Sequence, residues 1–254
     1  MNAKEYLKRI GLDGEEPSLS YDFLCKLQYA HVTHVPYENL DIVDGIPLSL
    51  EHSDIYEKVV TQNRGGYCFE LNCIFSALLS KLGFKTRDFL GRFLRGETSI
   101  PVRRHRIIAV DLGENTYICD VGMGQSAPRY PLLLKEGIPQ EQFGETYRFE
   151  RDELHGWILY DLHRGEWRKF YSFTEERQLD IDFILPSFYC EKHDASPFNK
   201  GVMVAIKTKN GRKAINGKDF KIFEDGDLTY IEENMTDARR LEILKNEFGI
   251  EWRK

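Results

Sequence analysis

Residues 64–72 read Arg-Gly-Gly-Tyr-Cys-Phe-Glu-Leu-Asn, RGGYCFELN, and set a thiol where a long helix begins. Gly65 and Gly66 tolerate backbone angles closed to other residues, positive φ included, so they predict a sharp turn. Beyond them Phe69, Leu71, Ile74, Phe75, Leu78, Leu79 and Leu82 recur at helical spacing until Gly83, which predicts an apolar helix from about Cys68. The first N–H groups of such a helix lack intrahelical acceptors, and with the aligned peptide dipoles they favour a thiolate at Cys68. Cys73 falls mid-helix among apolar neighbours, where cysteine is a small hydrophobe, and Cys25, Cys119 and Cys190 read the same way.

A cysteine nucleophile needs a base to take its proton and a third group to orient that base. The stretch RRHRIIAVDLGENTYICDVGMG, residues 103–124, offers both. His105 opens one apolar strand and Asp120 closes the next, with a short turn at residues 113–115, so a hairpin brings the two ends to one rim. An ionised Asp120 between Cys119 and Val121 is costly unless paired, and His105 is the nearest partner. A carboxylate on one imidazole nitrogen fixes the tautomer and turns the other nitrogen to the sulfur. The blander alternatives are a structural histidine at a strand start and an aspartate that caps the turn before Gly122.

Helices come first along the chain. SLSYDFLCKLQYAHVTHV (18–35) predicts a helix capped by Ser18 or Ser20 and stopped by Pro36, and LEHSDIYEKVVTQN (50–63) predicts another. The period then changes: KTRDFLGRFLR (85–95), RHRIIAVDL (104–112), TYICDVGM (116–123), GWILYDL (156–162) and EWRKFYSF (166–173) are short, β-branched or aromatic segments bounded by turn residues, which predicts an antiparallel sheet or barrel. After residue 200, Asn210-Gly211 and Asn216-Gly217 signal hairpins and TDARRLEILKNEFGI (236–250) a terminal helix.

With 254 residues and a formal charge of −6, the chain is long enough for a large core and too acidic for general nucleic-acid binding. The start MNAKEYLKRIGLDGEE has one basic-amphipathic turn and no apolar signal region, and no apolar run reaches membrane-span length, so the expected location is cytoplasmic with no membrane contact. The five cysteines are odd in number and contain no CxxC pair, so no disulfide framework is expected. The seven histidines join none of them at structural zinc spacings, and no metal is expected.

The chain resembles the arylamine N-acetyltransferase family through HVPYENL (34–40), RGGYCFELN (64–72), HRIIAV (105–110), YICDVGMG (117–124) and, more loosely, YSFTEERQLDIDF (171–183). The resemblance implies an α+β protein: a helical bundle (1–85), an antiparallel β-barrel (86–200) and an α/β lid (201–254), with a papain-like triad of Cys68, His105 and Asp120. It implies ping-pong transfer of an acetyl group from acetyl-CoA, a cosubstrate, through acetyl-cysteine to arylamines or arylhydrazines, with no tightly bound cofactor. Tyr37, Phe69, Met123, Gln125, Ala127 and Phe198 fall at positions implied to line the acceptor pocket or neighbour the sulfur. Glu38 and Arg64 would support the nucleophile turn as a bidentate pair. Arg103 and Arg104 stand where the family usually has threonine before the histidine, and are expected to attract CoA phosphates. The family pattern Ser-Thr-His-Pro-x-Ser-x-Phe survives only as His193, Ser196 and Phe198, which leaves His193 and Ser196 as further CoA candidates. The competing readings are an amide synthase or other acyltransferase of this fold with a different donor or acceptor, a peptide-directed cysteine enzyme, and a binding homologue without turnover.

Overall fold

Asn2 and Ser20 begin the first two helices in the same way, each side-chain oxygen accepting a first-turn N–H, from Lys4 at 3.1 Å and Phe23 at 3.2 Å. The structure, a computed structural model, describes residues 1–252; the last two residues of the expected 201–254 segment lie outside the described residues. Helix α1 (Ala3–Arg9) is one element that sequence reading reduced to a single turn, and it buries Tyr6 and Leu7. Helix α2 (Tyr21–His34) ends at Val35, before Pro36. A short strand β1 (Tyr37–Glu38), a turn of helix α3 (Leu40–Val43), and α4 (His52–Tyr56), which widens into a π-turn over Glu57–Thr61, lead to α5 (Cys68–Lys81). Among the described residues no helix is long and apolar enough to cross a membrane.

Eight strands follow: β2 (Lys85–Phe93), β3 (His105–Leu112), β4 (Asn115–Cys119), β5 (Leu132–Leu133), β6 (Gln140–Gln142), β7 (Glu145–Asp152), β8 (Gly156–His163) and β9 (Glu166–Phe173). They form one antiparallel sheet in the order β5-β4-β3-β2-β9-β8-β7-β6. It curls nearly into a barrel, and side chains bridge the seam between its two edges. The Gln140 amide bonds both the N–H and C=O of Leu133, at 2.7 and 2.9 Å, and Gln142 does the same for Tyr130. These amides satisfy backbone groups that would otherwise form exposed edges.

Helix α6 (Ile184–Lys192), which the sequence pattern did not predict, leads to a second sheet made of β10 (Met203–Lys207), β11 (Gly211–Asn216), β12 (Asp219–Glu224) and β13 (Asp227–Glu232), and then to α7 (Asp237–Phe248). β1 joins this sheet by pairing Tyr37 with Ala205 and Glu38 with Val204. A segment from the helical region is thus built into the C-terminal sheet.

Alternation along β3 explains how the layers stack. Ile108 and Val110 pack with Leu27, Ile74, Phe75 and Leu78 of the helices, while Ile107 and Ala109 point into the barrel beside Phe89, Phe149 and Phe170. Both faces of β3 are therefore buried. Full burial of side chains such as Ile74, Phe75 and Leu78 (0% exposed) contributes roughly 1.5–3 kcal/mol each, which locks α5 onto the strand that begins with His105. A third cluster joins Val204, Ile215 and Phe220 to Ile243, Leu244 and Phe248 of α7. The expected α+β architecture is the one observed.

Candidate active site

Cys68 is the first residue of α5, and the turn before it is tied down by charge. Arg64 places Nε and Nη2 on a single oxygen of Glu38, at 3.0 and 2.9 Å, and extends Nη2 to Asp41 at 2.8 Å. The expected bidentate fork is therefore corrected: the other Glu38 oxygen is already occupied by the Leu40 N–H at 2.8 Å. Lys58 continues the chain of charges to Asp41 and Glu70, at 2.6 and 2.8 Å. Glu70 also accepts the Tyr67 N–H at 3.1 Å, capping the helix that carries Cys68. Burial pushes the Asp41 carboxyl up, but Lys58 and Arg64 more than offset it and hold it below the usual range. Asp41, Lys58 and Glu70 were not singled out from sequence, because ion pairs between segments carry no local signature.

The two glycines also act differently from expectation. Neither Gly65 nor Gly66 has positive φ. They are needed for close approach: a Cβ on Gly65 would sit 2.0 Å from the Pro36 carbonyl oxygen, and one on Gly66 would meet Glu70 at 3.0 Å.

The β3–β4 hairpin pairs Ile108 with Cys119, which sets Asp120 one residue past the end of β4 and near the start of β3. His105 Nε2 lies 2.6 Å from Asp120 Oδ2, and both residues are buried. The other oxygen, Oδ1, accepts from Asn72 Nδ2 and from the Gly122 N–H, each at 2.9 Å. The aspartate therefore orients the histidine and caps the turn at once. Asn72 also donates to the Arg106 carbonyl at 2.6 Å and accepts the Val121 N–H at 2.9 Å, stitching α5 to both strands. It lies inside the opening motif, and its partners are visible only in three dimensions. Gly122 has no room for a side chain, since a Cβ would come within 2.7 Å of Cys68 Cα and 2.8 Å of Asn72 Nδ2.

Cys68 Sγ lies 3.8 Å from the carbonyl of Arg104, one residue before His105, and Cys68 and His105 line the same cavity of about 350 Å³. With Nε2 on Asp120, Nδ1 is the ring nitrogen left for a proton from the sulfur. Burial pushes the Cys68 thiol well above its ordinary value, and Cys190 and Asp120 add to this; backbone N–H groups of Arg106 and Phe69 oppose it. The expectation that the helix start lowers the Cys68 pKa and so favours a thiolate is corrected: the thiol is pushed up instead. Desolvation outweighs the helix end, so ionisation depends on transferring the proton to a neighbouring base.

Of the other residues expected at the site, Tyr37, Met123, Gln125, Phe198 and Arg104 line the cavity. Phe69 does not: it is fully buried behind Cys68 against Tyr67 and Phe183. Ala127 is buried in the helical core instead. Arg104 is bound to Glu97 at 2.6 Å, and Arg103, 3.7 Å from Glu176, stands off the cavity wall. Ser196 is buried, with its hydroxyl donating to the Cys190 carbonyl at 2.5 Å. His193 stacks on Tyr189 and accepts the Ala195 N–H at 3.0 Å. Both hold the turn after α6 and neither reaches the cavity. Sequence reading missed the far wall, Met203, Val204, Ala205, Ala214 and Ile215 from β10 and β11, because only the β1–β10 pairing swings that sheet over Cys68.

A family model described as N-acetyltransferase matches residues 20–254. The arylamine N-acetyltransferase of Mycolicibacterium smegmatis is 33% identical over 259 residues, spanning 99% of this chain and 92% of the relative. The chain belongs to the arylamine N-acetyltransferase family. Membership makes it an acyltransferase. The Escherichia coli arylamine N-acetyltransferase is 30% identical over 96% of this chain and 87% of its own. Among solved structures, the M. tuberculosis arylamine N-acetyltransferase superposes with a TM-score of 0.91 at 31% identity, covering 98% of this chain and 94% of that one. The Mycobacterium marinum arylamine N-acetyltransferase in complex with CoA also gives 0.91, at 29% identity over 98% and 93%.

Proposed function

We propose that this acyltransferase moves an acetyl group from acetyl-CoA to an aromatic amine or hydrazine through an acetyl-Cys68 intermediate. The observation that carries the reading is the 2.6 Å His105–Asp120 contact on the wall of a cavity that also exposes Cys68. His105 Nδ1 takes the thiol proton, and the sulfur attacks the thioester carbonyl. The resulting thiolate–imidazolium pair is neutral overall, so burial opposes it far less than an isolated sulfur anion. Collapse of the tetrahedral adduct releases the CoA thiolate, which takes the proton back from His105. The acceptor nitrogen then attacks acetyl-Cys68 and passes its own proton to His105, from which the departing sulfur recovers it.

The cavity supports an aromatic acceptor. Tyr37, Phe93, Phe198, Met203 and Ile215 make its walls largely apolar, and adaptable methionines suit varied rings. Among the described residues that line it there is no carboxylate to hold a cation, which suits an acceptor that arrives as a neutral amine, as aromatic amines do near neutrality. The relative solved with CoA supports the donor. Arg103 and Arg104 are the proposed phosphate contacts, reached when their pairs with Glu176 and Glu97 exchange for the nucleotide.

Intact-protein mass spectrometry after brief exposure to acetyl-CoA without acceptor tests this reading. One acetyl group mapped to Cys68 and discharged by an arylamine is the expected result. Loading by another thioester but not by acetyl-CoA would favour a different acyltransferase of this fold. No adduct from any thioester on folded protein would overturn the mechanism.

A further inference from the structure

A second cysteine, histidine and aspartate meet on the opposite side of α5. Cys73 lies about 1.4 turns beyond Cys68 on the helix, His52 opens α4, and Asp180 begins a short turn at Asp180–Phe183. One ligand-capable atom from each falls within 4.8 Å of the other two. They line a cavity of about 540 Å³ that also includes Asp88 and Arg106 and shares no lining residue with the Cys68 cavity. The family chemistry described above makes no use of these three side chains.

We propose that Cys73, His52 and Asp180 form a zinc site. Their donor set of thiolate, imidazole and carboxylate suits a borderline-soft divalent cation, whereas Mg²⁺ and Ca²⁺ take oxygen shells. His52 Nε2 and Asp180 Oδ2 are 3.2 Å apart, close to the roughly 3.3 Å edge of a tetrahedron with Zn–N and Zn–O near 2.0–2.1 Å. Drawing the sulfur into the same shell needs a shift of about 1 Å, and half-exposed His52 is free to make it.

A second observation points to the same place. Asp88 uses Oδ2 for Arg106 at 2.8 Å and Ser76 at 3.2 Å, but its Oδ1 is buried with no hydrogen-bond partner. A water on the fourth zinc position, facing this cavity, supplies that partner, in the way that carboxylates behind metal ligands commonly do. Arg106 holds Asp180 Oδ1 at 2.8 Å and leaves Oδ2 to the ion. With a thiolate and an imidazole that has given up its extra proton on binding the ion, Zn²⁺, Arg106, Asp88 and Asp180 sum to zero, while Lys81, Arg87 and Arg177 also line the cavity. The ligands come from three distant segments, which is why no sequence spacing revealed them.

The test uses the full chain as Cys68→Ala, stripped with chelator, so that the active-site sulfur cannot bind the probe. ZnCl2 alone should bind with one equivalent and raise the melting temperature, and CoCl2 alone should give thiolate-to-cobalt charge-transfer absorption with tetrahedral d–d bands. Adding Cys73→Ser should abolish the charge-transfer band, and adding His52→Ala, at an exposed position, should abolish the zinc-dependent rise in melting temperature. Asp88→Asn should weaken zinc about 10–100-fold while keeping the cobalt spectrum. Failure of metal-free Cys68→Ala to bind, or a cobalt band that survives Cys73→Ser, would reduce the cluster to an ion pair beside a packed thiol. If Cys68→Ala does not fold, the wild-type chain with and without His52→Ala carries the comparison, and equal metal stoichiometry in the two would overturn the site.

Discussion

Replacing Asp120 with asparagine removes one charge and almost no volume, yet the surroundings dictate which way the amide points. Both donors on Oδ1, Asn72 Nδ2 and the Gly122 N–H at 2.9 Å, require an oxygen there. The NH2 group must therefore occupy the Oδ2 position, 2.6 Å from His105 Nε2. Two N–H groups cannot face each other, so Nε2 becomes the acceptor and the ring proton moves to Nδ1. That is the nitrogen assigned to take the Cys68 proton, and it can no longer do so. The same tautomer error in the serine-protease triad costs about 10⁴-fold in kcat, roughly 5.5 kcal/mol of activation free energy. Single-turnover acetylation, followed by quenched-flow mass spectrometry, should slow by about 10³–10⁴-fold with the melting temperature nearly unchanged. The residual rate should climb with pH, since the Cys68 thiol, pushed up by burial, then ionises only to solvent. A rate within about tenfold of wild type in a folded variant would refute the tautomer argument and remove Asp120 from the mechanism.

Three further outcomes can be measured. Gly122→Ala forces a methyl to 2.7 Å from Cys68 Cα; overpacking of this kind costs about 1–3 kcal/mol, and kcat/KM should fall more than stability because the displaced atom bears the nucleophile. Arg64→Met leaves Glu38, whose side chain is 0% exposed, without its cation, which should destabilise the fold by about 3–5 kcal/mol in urea unfolding; Arg64→Lys should recover only part, because an ammonium lacks the separate Nε donor that Arg64 adds on Glu38. His31 is fully buried with neither ring nitrogen bonded, and burial first, then Arg9 and His34, lower its pKa from 6.5 to about 3. The unfolded chain therefore binds the extra proton between those values, and stability falls as pH falls below 6.5, by about 2 kcal/mol from pH 6.5 to about 4.5. His31→Leu should flatten that part of the pH–stability curve, and an unchanged slope would show that His31 is not held neutral.

Local chemistry made much of this protein legible from its sequence. The apolar spacing from Phe69 to Leu82 and the stop at Gly83 specify α5 because helix periodicity is a property of consecutive residues. The strand–turn–strand pattern around residues 113–115 likewise carried His105 and Asp120 to one rim. Ser20 and Thr236 cap their helices through bonds to residues three positions away, Phe23 and Arg239, which is within the reach of sequence reading. Other features arise only when distant segments meet. The β1–β10 pairing closes the cavity with a sheet more than 160 residues away, as the Asn39 amide contact to Gly201 shows with a separation of 162. The convergence of Asn72, Asp120 and Gly122, the network from Glu38 to Glu70 and the meeting of His52, Cys73 and Asp180 have the same origin. Electrostatic state belongs to this second group too. A thiol at a helix entrance reads as acidic from its neighbours in sequence, but desolvation is set by everything packed around it, and at Cys68 the packing prevails.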